Sequence, residues 1–352
     1  MNSNNNNSNT NLTTINTNPI YIYWGNSGFM PNMVAMYGGL FLLCLIGFCL
    51  NLMLVYITKK SKTLHGRCNI LLAFNSLTAT PLLLFSSVKF IILFSGINYI
   101  KLKTCYYFAF IPLIGVGLAT SSQLCIGIDR LISVLFPFWY KDSDLYISTS
   151  ILFVFCIIRC FVINCYYFYG VSLHSDNMVM CSTGDIVTQE IAPFIYEEGL
   201  ILFFAEFACY VIIWLIILIK KSSHEIANSK KLIKSLTVVM GISVFCFLQG
   251  NSWRVILTYV NFDAFAIEYY VSFPTTCLYM IAFSSNLPVL VIFSKEYRIA
   301  FFKHLGWLFC IKPGQQRPVI VSMIKAVDVR ESMRKLENAA ATVSHSTRNR
   351  PN

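Results

Sequence analysis

Charged side chains are scarce in this chain of 352 residues, since Asp, Glu, Lys and Arg together make up only 12% of it. Soluble globular domains carry about a quarter of such residues. Acidic residues are the less frequent of the two charged types, with 16 Asp and Glu against 27 Lys and Arg. The shortage argues against a soluble fold, so the net charge of +11 needs an explanation that suits a hydrophobic protein.

Motifs of the common enzyme classes are also missing. The chain has no His-Glu-x-x-His pair, no phosphate-binding loop and no glycine-rich nucleotide fingerprint. We therefore expect no enzymatic activity, no cofactor and no metal site. The first residues lack a positively charged stretch followed by a small-residue cleavage site. This predicts that the first apolar run serves as an uncleaved signal anchor.

Apolar residues, by contrast, make up 56% of the chain and gather in seven long runs. Each run offers the roughly 20 apolar residues that a helix needs to cross a bilayer. The pattern predicts an all-α membrane protein with a seven-transmembrane helix bundle over residues 33–293. The runs are Met33–Ile57, Asn69–Phe94, Cys105–Phe136, Tyr146–Gly170, Tyr196–Ile219, Ser235–Val260 and Tyr269–Phe293.

The segments that flank the bundle have a different composition. Residues 1–32 are rich in Asn, Ser and Thr and hold too few apolar side chains for a core, so we expect disorder. After the seventh run, KEYRIAFFKHLGWLFC predicts a short amphipathic eighth helix over residues 294–310. The polar and basic residues 311–352 are expected to form a disordered cytoplasmic tail.

The positions of Lys and Arg predict an orientation. Most of the 27 fall on one side of the predicted bundle, whereas Lys101 and Lys103 are the only loop cations on the other side. Basic loops stay in the cytoplasm, so the N-terminus is expected outside and the tail inside, in a multi-pass protein of the plasma membrane. The net charge is thereby explained without nucleic-acid binding. The cations of the inner side include Lys59, Lys60, Lys62, Arg67, Lys220, Lys221, Lys230, Lys231 and Lys234.

Most of the 13 cysteines lie in apolar runs, where cysteine behaves as a small hydrophobic residue. Cys181 is the only cysteine in a predicted outer loop, and Cys105 stands at an outer helix end. Because disulfides form in oxidising compartments, we expect these two cysteines to be joined.

The third apolar run carries the most specific pattern. It has no formal charge from Cys105 until Asp129 and Arg130 near its far end, and Pro137 and Tyr140 follow. An arginine in a membrane span is costly and is a functional candidate by default. Anchoring by the positive-inside rule would explain the charge of Arg130 but not the D-R-x6-P-x2-Y spacing.

This arrangement resembles the third transmembrane helix of rhodopsin-like G-protein-coupled receptors. The segment GIDRLISVLFPFWY is more narrowly similar to the nematode serpentine chemoreceptor family Srsx. The resemblance covers about residues 30–310. It implies that Arg130 pairs with Asp129 at rest and faces a heterotrimeric G protein when the helices open. It also implies the Cys105–Cys181 bridge, and it adds Pro137 and Tyr140 to the coupling surface.

Amides and a proline in other runs fit the same resemblance. Asn51 stands at a place comparable to that of an asparagine in such receptors, and Asn75 stands where they usually carry an aspartate. Asn286 and Pro288 partly match their Asn-Pro-x-x-Tyr motif. We expect these residues to act in helix packing and switching. Asn75 replaces the aspartate that usually helps to bind sodium, and an amide offers a cation no charge, so no sodium site is predicted.

The ligand pocket is expected among Pro112, Gln249, Trp253 and Arg254. Pro112 occupies the place where monoamine receptors carry an aspartate, which is evidence against that subclass. In the sixth run, where the family has an aromatic residue followed by a proline after Phe245, the chain reads FCFLQGNSWR, with Gln249 and no proline. Arg254 either faces the ligand cavity or extends outward to the membrane surface, and the sequence leaves both open.

Three further charges lie within the apolar runs. Arg159 and Glu206 sit at similar depths, roughly 15–17 Å from the outer helix ends, and we predict that they form an ion pair. Lys89, near the outer end of the second run, is expected to extend toward the membrane interface.

Three positions are candidates for covalent modification. Asn6 and Asn11 begin glycosylation sequons, and Cys310 is a candidate for palmitoylation.

The sequence thus favours a receptor that binds an extracellular ligand and activates a G protein. The resemblance implies a small environmental ligand, and a neuropeptide ligand is left open. A transporter is the alternative from another class, but no internal repeat supports it. The basic segment before the sixth run could contact the G protein or anionic membrane lipid.

Overall fold

The computed structural model describes residue 21 and residues 27–142, 145–219, 238, 241–250, 252–253 and 267–306. Helices dominate this part of the chain. They are α1 Pro31–Lys60, α2 Arg67–Phe94, α3 Leu102–Leu135, α4 Pro137–Asp142, α5 Leu145–Leu173, α6 Ala192–Ile219, α7 Gly241–Gly250, α8 Phe273–Ser284, α9 Asn286–Phe293 and α10 Lys295–Leu305. A 3-10 turn, Lys62–Leu64, precedes α2, and a π-helical turn, Ile267–Ser272, precedes α8.

Five of these helices, α1, α2, α3, α5 and α6, are long and apolar enough to cross a membrane. The bent pair formed by α8 and α9 is a sixth candidate. Large apolar side chains on the outside of the bundle, such as Phe161 and Ile201, are more than two-thirds exposed. Such a surface is suited to lipid rather than water. The prediction of an all-α membrane fold is confirmed, while most of the sixth apolar run lies outside the described residues.

The first helix begins earlier than predicted. Pro31 is its first residue, so residues 31 and 32 belong to the bundle and not to the N-terminal segment. Proline suits this position because the first N–H groups of a helix have no partner within it. After the last span, the amphipathic helix α10 runs over Lys295–Leu305 and buries Tyr297 and Phe301 against the bundle.

A proline also explains why the last span is broken. Pro288 has no N–H, and its ring crowds the carbonyl group four residues earlier, that of Ser284. The regular helix stops there, and the axes on the two sides of Ser285 differ by 48°. As a result Asn286 begins α9 with a buried side chain.

The two ends of the bundle differ, and we name them by what they carry. At the disulfide end, Cys105 of α3 is bonded to Cys181, with their Cα atoms 5.3 Å apart. Strand β1, Ile100–Lys101, pairs there in antiparallel register with β2, Met178–Val179. These contacts fasten the loop between α5 and α6 to the start of α3. The opposite end, where α3 carries Asp129, is called the Asp129 end.

Replacing Cys105 by serine should reduce the amount of receptor at the cell surface several-fold. A disulfide that closes a long loop typically contributes about 2–4 kcal/mol to the free energy of unfolding. Surface labelling of intact cells measures the effect, with Cys49→Ser as control, because Cys49 is an exposed free cysteine. Equal surface levels for both variants would contradict a structural role of this bridge.

Candidate functional site

The Asp129 end of α3 holds a compact charged cluster. Arg130 donates a hydrogen bond from Nη2 to Oδ2 of Asp129 at 2.9 Å, and the Tyr140 hydroxyl lies 3.1 Å from both carboxylate oxygens. Asp129 itself is only 2% exposed. Because charge-assisted hydrogen bonds are among the strongest in proteins, this carboxylate holds both neighbours in place.

Pro137 explains how Tyr140 reaches this cluster. A residue that precedes proline is disfavoured in helical conformation, and Phe136 accordingly leaves the helix with φ −126° and ψ 65°. The chain then turns into α4, which begins at Pro137. Tyr140, one turn into α4, is thereby directed back to α3. The spacing of Pro137 and Tyr140 relative to Asp129 thus has a geometric consequence.

Arg67 is a member of the cluster that the sequence did not indicate. Its Nε lies 3.8 Å from Oδ1 of Asp129, and its guanidinium stands over the Tyr140 ring, 4.5 Å from the centroid. From the sequence, Arg67 is only one of the cations that orient the protein in the membrane. Its contact with α3 depends on how α2 packs, for which no local sequence pattern exists.

The predicted packing amides meet in the middle of the bundle. Asn286 donates to Oδ1 of Asn75 at 3.0 Å, and Asn75 donates to Ser122 Oγ at 3.0 Å and to the carbonyl oxygen of Ala119 at 2.8 Å. Asn51 donates to the carbonyl oxygen of Phe283 at 3.0 Å. These amides link α1, α2 and α3 to the two halves of the last span. Each of the three amide nitrogens has an acceptor on a neighbouring helix.

An aromatic contact joins α7 to its neighbours. Phe247 stacks on Phe203 of α6 with ring centroids 4.4 Å apart, and it also contacts Phe283 and Tyr279 of α8. Gly250, one turn further, lies so close to Tyr279 that a Cβ there would collide with the tyrosine side chain. Packing of this kind makes the position of α7 sensitive to any shift of α6 or α8.

The pocket candidates fall in different places. Pro112 is buried within α3, while Gln249 and Trp253 are half-buried at or just beyond the end of α7. Arg254 lies outside the described residues, as do Asn6, Asn11 and Cys310. The two alternatives for Arg254 therefore stay predictions.

The predicted pair of Arg159 and Glu206 is wrong. Arg159 instead binds Glu198 with two hydrogen bonds, from Nε at 2.5 Å and from Nη2 at 2.7 Å. Its Nη1 donates to the carbonyl oxygen of Gly117 and to the hydroxyls of Thr120 and Ser121, all within 2.9 Å. One arginine of α5 thus joins α3 and α6.

Depth alone could not distinguish the two glutamates. Glu198 and Glu206 are eight residues apart on α6, which places their side chains about 80° apart around the helix axis. Glu198 faces Arg159, and Glu206 points elsewhere. Glu206 is 1% exposed, and its Oε1 has no hydrogen-bond partner among the described residues.

The disulfide end contains an ion pair that the sequence missed. Nζ of Lys89 lies 2.7 Å from Oε1 of Glu268 and 2.8 Å from the Tyr37 hydroxyl, which also donates to Glu268. Lys89 is 7% exposed and Glu268 is 8% exposed, so Lys89 does not extend to the membrane interface as expected. The pair connects α2 to the π-helical turn that precedes α8. In sequence, a lysine near a helix end that extends to the membrane interface looks the same as one that forms a buried ion pair.

This architecture defines the class as a serpentine receptor, a bundle of apolar spanning helices of the G-protein-coupled type. More particularly, the chain belongs to the family described as serpentine type 7TM GPCR chemoreceptor Srsx, whose family model matches residues 44–305. The matched stretch contains α3, the cluster at the Asp129 end and both members of the Lys89–Glu268 pair, whereas Tyr37 precedes it. No curated protein matches the chain. The family predicted from the third apolar run is thus confirmed.

Proposed function

We propose that this protein is a chemosensory receptor of the plasma membrane, which binds an extracellular ligand and activates a heterotrimeric G protein. The observation that carries the proposal is the cluster of Asp129, Arg130 and Tyr140 at one end of α3. Arg130 forms an ion pair there with the residue next to it in sequence, and it also interacts with the Cys68 thiol of α2. Its charge is therefore available to a partner once the contacts of Asp129 change.

The distribution of charge supports an orientation with the Asp129 end in the cytoplasm. Lys59 and Lys60 end α1, Lys62 follows in the connecting turn, and Lys295 begins α10. Cytoplasmic loops of membrane proteins are enriched in such residues. The disulfide at the other end suits an oxidising exterior. This orientation presents Arg130 to a G protein and the loop that carries Cys181 to extracellular ligands.

The test is a ligand screen in cells that express the receptor with a promiscuous G protein and a calcium indicator. Ligands that raise calcium in receptor-expressing cells, but not in mock-transfected cells, are the expected result. A receptor that reaches the surface, binds small molecules and produces no G-protein signal would overturn the proposal.

Tyr140→Phe should raise signalling in the absence of ligand. The change keeps the ring but removes the hydroxyl that bonds Asp129, and hydrogen bonds to charged groups contribute about 1.5–3 kcal/mol. Asp129 then holds Arg130 less firmly, so basal signalling should increase by up to roughly tenfold per 1.4 kcal/mol lost. Basal calcium or second-messenger level at matched surface density measures it. Tyr56→Phe is the control, because Tyr56 is exposed on α1.

A further inference from the structure

The buried ion pair of Lys89 and Glu268 belongs to a larger group of side chains. We call Tyr37, Lys89, Tyr99, Asp185 and Glu268 the disulfide-end cluster. Electrostatic interactions connect Asp185 and Tyr99 to both Lys89 and Glu268. The five residues come from α1, α2, the α2–β1 connection, the β2–α6 loop and the π-helical turn. Residues that are far apart in sequence thus come within electrostatic range of one another.

The charges of this cluster do not balance. Lys89 supplies its single positive charge, and Glu268 and Tyr37 already occupy that ammonium group at 2.7 and 2.8 Å. The Tyr37 ring also lies below it, 4.1 Å from Nζ to the centroid. Asp185 is a second carboxylate, and no Lys, Arg or His of the described residues comes within salt-bridge distance of it. One negative charge is therefore left without a partner among the residues described.

Asp185 is held in position by the backbone of its own loop. Its Oδ2 accepts a hydrogen bond from the backbone N–H of Ser182 at 2.7 Å, and Ser182 follows the disulfide-bonded Cys181 directly. The residue as a whole is half-buried. Burial raises the pKa of the Asp185 carboxyl, and the charge of Lys89 offsets this effect only in part. A cation beside Asp185 would stabilise its charged form.

Tyr99 supplies an independent sign of a ligand. The residue is 3% exposed, yet its hydroxyl has no hydrogen-bond partner in the part of the chain that the structure describes. A buried hydroxyl without a partner is costly, and proteins usually satisfy such groups. A phenol can either accept or donate a hydrogen bond. A ligand beside Asp185 could use this free group.

The charge balance decides between ligand classes. An anion would meet two carboxylates, and Lys89, the one cation among the five described cluster residues, is already paired. A neutral molecule would leave the charge of Asp185 uncompensated in a partly desolvated place. A protonated amine supplies the missing positive charge and up to three N–H donors for Asp185 and Tyr99. This location also differs from the Pro112 position on α3, which offers an amine no carboxylate.

We propose that the disulfide-end cluster binds the ammonium group of a small amine, with Asp185 as counter-ion and Tyr99 as a hydrogen-bond partner. This inference rests on the proposed receptor function and specifies its ligand class. It makes the loop fastened by Cys181 part of the binding site. The Lys89–Glu268 ion pair then lines one side of the amine site.

The experiment compares head groups on the same carbon skeleton. Purified full-length receptor in detergent is heated with n-hexylamine, hexanoate or 1-hexanol, and with phenethylamine, phenylacetate or phenethyl alcohol. The amines should raise the melting temperature, and the acids and alcohols should not. Asp185→Asn should weaken the apparent affinity for the amines by roughly tenfold or more, because the bond to a charged group is lost.

Asp176→Asn is the matched control. Asp176 lies in the same loop, but its side chain is 81% exposed and forms an ion pair with the exposed Lys101. Surface ion pairs of this kind contribute little, so amine binding should be unchanged. Should Asp185→Asn fail to fold, Tyr99→Phe decides the matter, because it removes only the hydroxyl. That variant should weaken amine binding by about threefold or more, the loss expected for one hydrogen bond.

Three outcomes would overturn the inference: no stabilisation by any amine, equal stabilisation by acids or alcohols, or amine affinity that is unaffected by both variants. The measurement needs no G protein, so it is separable from the proposed function. Amines that bind in detergent but never produce a signal in cells would contradict the receptor function alone. Acids or alcohols that do signal, without any amine binding, would contradict the amine inference alone.

Discussion

Arg159→Leu is expected to remove most of the receptor from the cell surface. The substitution leaves Glu198 as a charged carboxylate between spanning helices, and it removes the contacts that join α5 to α3. Breaking a buried ion pair by deleting one partner typically costs about 3–5 kcal/mol. Surface biotinylation and the melting temperature of the solubilised receptor measure the loss.

Second substitutions identify the true partner of Arg159. Adding Glu198→Leu should restore part of the surface expression, because no charge is then left unpaired. Thr120 and Ser121 do not lose all their partners, since each also bonds a backbone carbonyl of α3. Adding Glu206→Leu should restore nothing, because Glu206 does not contact Arg159. Rescue by Glu206→Leu with none by Glu198→Leu would show that the pairing described above is wrong.

Arg130→Ala is expected to abolish or strongly reduce ligand-evoked signalling while the receptor still reaches the surface. The substitution deletes the cation that Asp129 holds at 2.9 Å, which is the group we assign to G-protein contact. Folding should tolerate it, because Arg67 lies 3.8 Å from the same carboxylate and partly compensates its charge. Calcium responses at matched surface density measure the effect.

Lys59→Ala is the matched control for Arg130→Ala. It also removes one positive charge from the Asp129 end, but the Lys59 side chain is exposed at the end of α1. Signalling by this variant should stay close to that of the unmodified receptor. If Arg130→Ala signals as well as Lys59→Ala, then Arg130 serves only in membrane topology and the coupling assignment fails.

The helices were predictable because their cause is local. A run of about 20 apolar residues must satisfy its own backbone hydrogen bonds in a bilayer, and a helix does so within the segment itself. Single residues refine such predictions in a local way too. Pro137 ends α3 and redirects Tyr140, and Pro288 breaks the last span at Ser285, each through steric effects on the nearest turn.

The partners of the membrane charges were not predictable in the same way. Counting residues from a helix end gives the depth of a side chain, but its partner also depends on the rotation of the helix and on which helix lies opposite. This is why depth alone predicts Glu206 as the partner of Arg159, whereas the partner in the structure is Glu198. Lys89 and Glu268 are separated by four spanning segments, so no local pattern could connect them.

The sequence by itself therefore determined the class of protein, its spanning helices, its family and the charged motif of α3, since all of these follow from composition and from short-range spacing. Only the tertiary structure decided which charges meet: Arg67 with Asp129, Arg159 with Glu198, and Lys89 with Glu268. The physical reason is that an isolated charge is costly in a membrane and must find a partner, which constrains the number of pairs but not their identity. That identity depends on the packing of whole helices, to which every residue of the interfaces contributes.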